Sequence, residues 1–255
     1  MIRNKIFLIP NILTTSSVLS GFISIIYCFN GYLFIAAVLI IFSFILDGLD
    51  GRVARITNTT SEFGAQYDSL ADVVSFGVAP SVFLYQWFLK DLNNIINTEL
   101  EFGVIIASLY LVSVLLRLAR FNVFKSNDFF IGLPCPLGAI LVSLSFILSN
   151  KYNINIDAYI ELYIFSSLLI SFLMISKFSY FSFKNIEKKD KIKFHWLFFA
   201  IIVLIVTLIN PYMVLFLLAF SYALSGFFMH IFRYVKKRSV FNRKNSKDNK
   251  DKYVG

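Results

Sequence analysis

Hydrophobic side chains along this chain come in runs of about 20 residues broken by short polar stretches, the length that carries an α-helix across a bilayer core. Eight such runs stand out, over residues 6–27, 32–50, 70–90, 103–124, 136–150, 158–176, 195–209 and 212–234. The breaks between them include Asn30-Gly31, residues 90–101, residues 150–157 and Asn210-Pro211. The first run contains Pro10 and Asn11 and ends without a small-residue cleavage site, so it reads as a retained span rather than a removable leader. The pattern predicts an all-α fold, a polytopic membrane helical bundle of about eight transmembrane helices.

Composition agrees. Of 255 residues, 58% are hydrophobic and only 15% are charged, with 30 Phe and 13 Tyr. A soluble domain of this size has too little polar residue to cover so much apolar surface. The same numbers exclude a disordered chain, and 11 Gly and 2 Cys exclude collagen-like and disulfide-rich classes. Both cysteines, Cys28 and Cys135, fall in or beside apolar runs, which argues against a disulfide framework.

The net charge of +9 matters through its distribution. With eight spans, 22 of the 24 Lys and Arg fall on one side, and only Lys90 and Lys151 fall on the other. The positive-inside rule then places both termini in the cytoplasm. Residues 236–255 form a basic, Asn- and Asp-rich tail that reads as disordered and as a topology anchor. Residues 181–235 read as a basic loop plus two additional spans after a six-helix unit over residues 1–180.

Carboxylates at the edges of apolar spans are costly, and here four cluster. Asp47 and Asp50 are spaced i,i+3 at the end of the second run, and Asp68 and Asp72 are spaced i,i+4 at the start of the third. Each pair therefore shares one helix face, and a hairpin brings the pairs together. Four negative charges that close need a cation among them, and an all-oxygen set without His or Cys selects a hard ion such as Mg²⁺, Mn²⁺ or Ca²⁺ over zinc. Small residues at Gly48, Gly51, Ala54 and Gly64 allow close approach of a backbone or a ligand, and Arg55 is placed to hold a phosphate oxygen. His195, His230 and Glu161 lack ligand-spaced partners and are assigned no chemistry.

The stretch Asp47-Gly48-Leu49-Asp50-Gly51-Arg52-Val53-Ala54-Arg55, eight residues, then Gly64-Ala65-Gln66-Tyr67-Asp68-Ser69-Leu70-Ala71-Asp72 resembles the signature of the CDP-alcohol phosphatidyltransferase family at every fixed position. The resemblance implies an integral membrane enzyme that moves a phosphatidyl group from a CDP-linked lipid to an alcohol and releases CMP. It implies a two-cation site, with Mn²⁺ or Mg²⁺, held by Asp47, Asp50, Asp68 and Asp72. Asp72 is then the catalytic base. Gly51, Ala54, Arg55 and Gly64 take the nucleotide-contacting positions. With the charge distribution it places the active site at the cytoplasmic face of the cell inner membrane, and homodimers are common in the family.

Three further blocks, Pro10-Asn11-Ile12-Leu13-Thr14 with Ser20-Gly21, Arg117-Leu118-Ala119-Arg120-Phe121-Asn122, and Gly132-Leu133-Pro134-Cys135-Pro136, resemble the serine-using branch of that family. Ser17-Val18 departs from an Asn-Leu common there. Arg117 and Arg120 are i,i+3, and a guanidinium fork matches the carboxylate of serine; the same pair also suits the phosphate of a phosphorylated acceptor. The expected partners are CDP-diacylglycerol, L-serine and membrane lipid, with no nucleic acid beyond the CDP moiety. The rival readings are the same transfer to glycerol 3-phosphate or an inositol phosphate, and a cation-coupled transporter.

Overall fold

The structure, a computed structural model, describes residues 8–92, 101–123, 129–181, 209–227 and 229. Most of the expected run 195–209, the tail, His195 and His230 lie outside these residues. Among these residues, five helices are long and apolar enough to cross a membrane: α1 (Leu8–Phe29), α2 (Leu33–Ile56), α3 (Glu62–Leu89), α4 (Phe102–Val123) and α6 (Ile160–Ile175, entered through a 3₁₀ turn at Asp157–Tyr159). Two shorter apolar helices, α5 (Cys135–Lys151) and α7 (Pro211–Phe227), complete the described bundle. Many large apolar side chains face outward, among them Phe22, Phe42, Leu116 and Phe165, as a bilayer-facing surface requires.

A polar seam joins α1 to α2. Thr14, Ser17, Ser20 and Ser24 recur at helical spacing and are all buried. Ser17 Oγ meets Ser43 Oγ at 2.7 Å, Ser20 donates to the Leu39 carbonyl at 2.8 Å, and Ser24 donates to the Ala36 carbonyl at 3.1 Å. In an apolar surrounding such hydroxyls hold helices together at short range. The hairpin turns at Asn30-Gly31, as expected, with Gly31 at φ +81°.

The helices run further than the apolar runs. Arg52 and Arg55 lie on α2, and Glu62 opens α3, so the loop between the Asp pairs shrinks to residues 57–61. The apolar count stops where lipid stops, but the helix continues until a backbone signal ends it. That signal is Asn58 at φ 53°, followed by Ser61 in extended conformation, whose Oγ accepts the Gly64 N–H at 3.0 Å as an N-cap. α3 is the central shaft. It changes to π-helical geometry over Val73–Val78 and again over Tyr85–Leu89, and the first of these stretches touches α1, α2, α4 and α5.

The bundle is all-helical, as expected, with one small addition. β1 (Phe129–Ile131) and β2 (Ser179–Phe181) pair antiparallel, with Phe130 opposite Tyr180. The ribbon satisfies backbone groups where the chain leaves α4 and α6 side by side. Gly132 closes it at φ +81°. Its N–H donates to the Phe178 carbonyl at 2.8 Å, and a Cβ there would overlap the Met174 carbonyl. Pro134 then caps α5, and Pro136 sits in its first turn, where its missing N–H costs nothing. At the far end of the bundle Trp87 packs edge-on against Phe146 and Tyr163, with ring centroids at 5.4 and 5.0 Å.

Candidate active site

The α2–α3 hairpin brings the two Asp pairs face to face. Asp47, Asp50 and Asp68 each offer a carboxylate oxygen within 4.8 Å of the others. Asp72 lies one helical turn beyond Asp68, against Asp47. Asp68 Oδ1 and Asp72 Oδ1 are buried and accept no hydrogen bond among the described residues. Carboxylates this close, with buried oxygens lacking donors, fit a hard divalent cation; all the donors are oxygen, and their number suits such an ion.

A cavity of about 280 Å³ adjoins this cluster. Asp50, Gly51, Ala54, Arg55, Gly64 and Asp68 line it, so every expected nucleotide-contacting position meets in one place with two of the carboxylates. At Gly51 a Cβ would meet no protein atom within 4 Å, so its smallness serves the cavity rather than helix packing. Arg55 is exposed at the cavity rim.

Several lining residues had not been singled out as site residues from the sequence. Pro10, Asn11 and Thr14 of α1 and Thr59, Thr60 and Ser61 of the turn close the cavity. Thr14 Oγ1 donates to Asp50 Oδ2 at 2.5 Å and lies 3.1 Å from the Pro10 carbonyl. The signal for Thr14 was present, since it begins the same hydroxyl stripe as Ser17, Ser20 and Ser24. The turn hydroxyls carried no periodicity to mark them.

The two arginines separate. Arg117 is buried, and its charge acts on Asp72. Its Nη1 lies 3.5 Å from Cys135 Sγ, its guanidinium carbon lies 5.6 Å from the Phe121 ring centroid, and its Nε has no hydrogen-bond partner among the described residues. Arg120 instead donates to the Ile175 carbonyl at 2.7 Å and the Ser176 carbonyl at 3.1 Å, closing the C-terminus of α6. The i,i+3 spacing predicted a shared role, but the end of α6 lies beside Arg120 and takes up its fork.

A carboxylate cluster fit for a hard cation, with a cavity beside it in a bundle of long apolar helices, defines the site of an integral membrane protein. Residues 7–225 match the CDP-alcohol phosphatidyltransferase family, and the chain belongs to it. It is 37% identical to a CDP-diacylglycerol–serine O-phosphatidyltransferase of Helicobacter pylori over 248 residues, which cover 95% of this chain and 98% of the relative. It is 38% identical to the protein of that name from Methanocaldococcus jannaschii over 181 residues, 71% of this chain and 77% of the relative. It is 35% identical to an archaetidylserine synthase of Methanothermobacter thermautotrophicus over 175 residues, 68% of this chain and 69% of the relative.

Proposed function

We propose that the chain transfers the phosphatidyl group of CDP-diacylglycerol to the hydroxyl of L-serine, giving phosphatidylserine and CMP. The observation that carries this reading is the cavity, where the nucleotide positions of the signature meet the carboxylate cluster. The names of the relatives supply the acceptor.

Asp47, Asp50, Asp68 and Asp72 would hold Mg²⁺ or Mn²⁺, two per site. Bound there, the ions would supply charge stabilisation at the attacked phosphoryl group and the leaving CMP. Arg55 and the Gly51 backbone bind the diphosphate, and Gly64 and Ala54 keep the cavity open for the nucleotide. Arg117 orients serine by its carboxylate. Asp72 accepts the proton from the serine hydroxyl as its oxygen forms the new bond to phosphorus, and the phosphoanhydride oxygen leaves on CMP with the bonding electrons.

Arg117 favours serine over a phosphorylated acceptor. With Arg120 engaged on α6, Arg117 is left as one buried guanidinium, and its single charge matches a carboxylate better than a phosphate dianion. The transporter reading is disfavoured because α2 and α3 run unbroken through their carboxylates, whereas transporter ion sites tend to sit at interrupted helices. Eight spans, both termini in the cytoplasm and an active site facing the cytoplasm from the inner membrane complete the reading.

CMP release by the purified protein tests it, with serine, glycerol 3-phosphate and an inositol phosphate supplied in parallel. Release is expected with serine alone, should cease in excess chelator and should return with Mn²⁺ or Mg²⁺. Arg117→Ala should raise the KM for serine about ten- to a hundredfold, the worth of a charge-assisted hydrogen bond. Transfer to glycerol 3-phosphate without transfer to serine would overturn the acceptor, and full activity in chelator would overturn the metal site.

A further inference from the structure

The turn between α2 and α3 brings the hydroxyls of Thr59, Thr60 and Ser61 to the cavity wall. Ser61 is engaged as the N-cap of α3, and Thr60 is exposed. Thr59 is buried, and its side chain is held by a neighbour. Thr57 Oγ1 lies 2.7 Å from the Val53 carbonyl and 2.7 Å from Thr59 Oγ1. A carbonyl only accepts, so the Thr57 proton goes to Val53. The proton between the two hydroxyls is then that of Thr59, which donates to Thr57. With its proton engaged, Thr59 Oγ1 offers a ligand an acceptor and no donor.

The backbone fixes where in the cavity this acceptor stands. The Thr59 N–H donates to the Ala54 carbonyl at 3.0 Å. Ala54 lies one turn of α2 beyond Asp50, about 6 Å along the axis. Asp50 and Asp68 mark the end of the cavity suited to a cation-bound diphosphate. Thr59 therefore stands toward the other end. In a nucleotide the ribose follows the phosphate directly and the base lies beyond it, so the turn falls at the base.

We propose that Thr59 selects the base, its Oγ1 accepting a hydrogen bond from the exocyclic amine of cytosine. The Thr57 hydroxyl, by holding the Thr59 proton, makes the cavity disfavour uracil. Uracil presents a carbonyl where cytosine has its amine. It would set two acceptors against each other or make Thr59 give up its bond to Thr57. A site that leaves a polar group unpaired discriminates more sharply than one that only fits a shape. Thr59 touches the substrate, and Thr57 is a positioning residue. The inference rests on the reading of the cavity as the nucleotide site.

The test uses the full chain in detergent with Mn²⁺ and measures binding of CMP, 2′-deoxy-CMP and UMP by calorimetry. The wild type should bind CMP at least about tenfold more tightly than UMP. Thr59→Val, which keeps the shape and removes the hydroxyl, should weaken CMP about tenfold and change UMP less than about twofold. Thr59→Ser should bind as the wild type does. Thr57→Val frees the Thr59 hydroxyl to turn and donate, so UMP should bind several-fold more tightly while CMP changes less. Equal losses of CMP and UMP in Thr59→Val would overturn the inference. So would a loss seen with CMP and absent with 2′-deoxy-CMP, which would place the hydroxyl on the ribose. A wild type that binds none of the three would overturn the nucleotide site, and Thr59 with it. The acceptor is tested apart from this, by CMP release with serine and with serinol, which has the hydroxyl and amine but no carboxylate. Equal release with both would overturn the role of Arg117 and leave Thr59 standing.

Discussion

A hydroxyl held against a carboxylate fixes which oxygen of that carboxylate faces outward. Thr14 does this for Asp50, at 2.5 Å, from a helix that contributes no carboxylate to the cluster. Residues of this kind orient metal ligands, and their loss typically weakens metal affinity or activity ten- to a hundredfold. Thr14→Val, which keeps shape and removes the hydroxyl, should therefore raise the Mn²⁺ concentration for half-maximal CMP release about tenfold or more. Saturating Mn²⁺ should restore most of the rate, as a titration of rate against metal would reveal. Asp68→Asn should show no such rescue. The four carboxylates were legible because charge inside an apolar run is expensive and therefore conspicuous. Thr14 was less so, because a hydroxyl costs little in a helix and one stripe of hydroxyls resembles another. The ribbon side of Arg120 was not legible at all, since its partners are backbone carbonyls that every residue carries.

At the scale of elements, Arg120 joins α4 to the end of α6, and the ribbon joins the ends of α4 and α6 again through Phe130 and Tyr180. Helix C-terminal carbonyls lack intrahelical partners, and a cation there contributes about 1 kcal/mol, more where it is partly buried. Arg120→Ala should lower the unfolding temperature of the detergent-solubilised protein and reduce turnover with serine and serinol alike. Arg120→Lys should recover part of the stability, because the charge returns without the fork. A loss confined to serine would instead place Arg120 among the acceptor contacts. The six helices through α6 were readable from hydrophobic runs, but their ends were not. α2 and α3 overran their apolar stretches because Arg52, Arg55 and Glu62 are good helix formers, and only Asn58 and Ser61 stop the chain. The strands escaped notice because three residues are too few to show a period of two.

For the whole molecule, the proposed orientation in the bilayer rests on the eight-span reading, in which 22 of 24 basic residues share one side. In a background lacking Cys28 and Cys135, a cysteine at Asn94 should react with an impermeant thiol reagent added outside intact cells. A cysteine at Asn185 should react only after lysis. The opposite pattern would reverse the orientation and the side from which serine arrives. The shaft α3 stands in the middle of this arrangement, with its carboxylates at one end and Trp87 at the other. Removing one residue from an ordinary α-helix turns everything beyond it by about 100°, which here would pull the aromatic end out of register with α5 and α6. A π-helical stretch differs, because it already holds more residues per turn than its flanks. Val73–Val78 is thus the place where the chain can lose a residue while Asp72 and Trp87 each keep their facing. Within this most buried of the long helices, tolerance of a shortened chain is therefore concentrated in that one stretch.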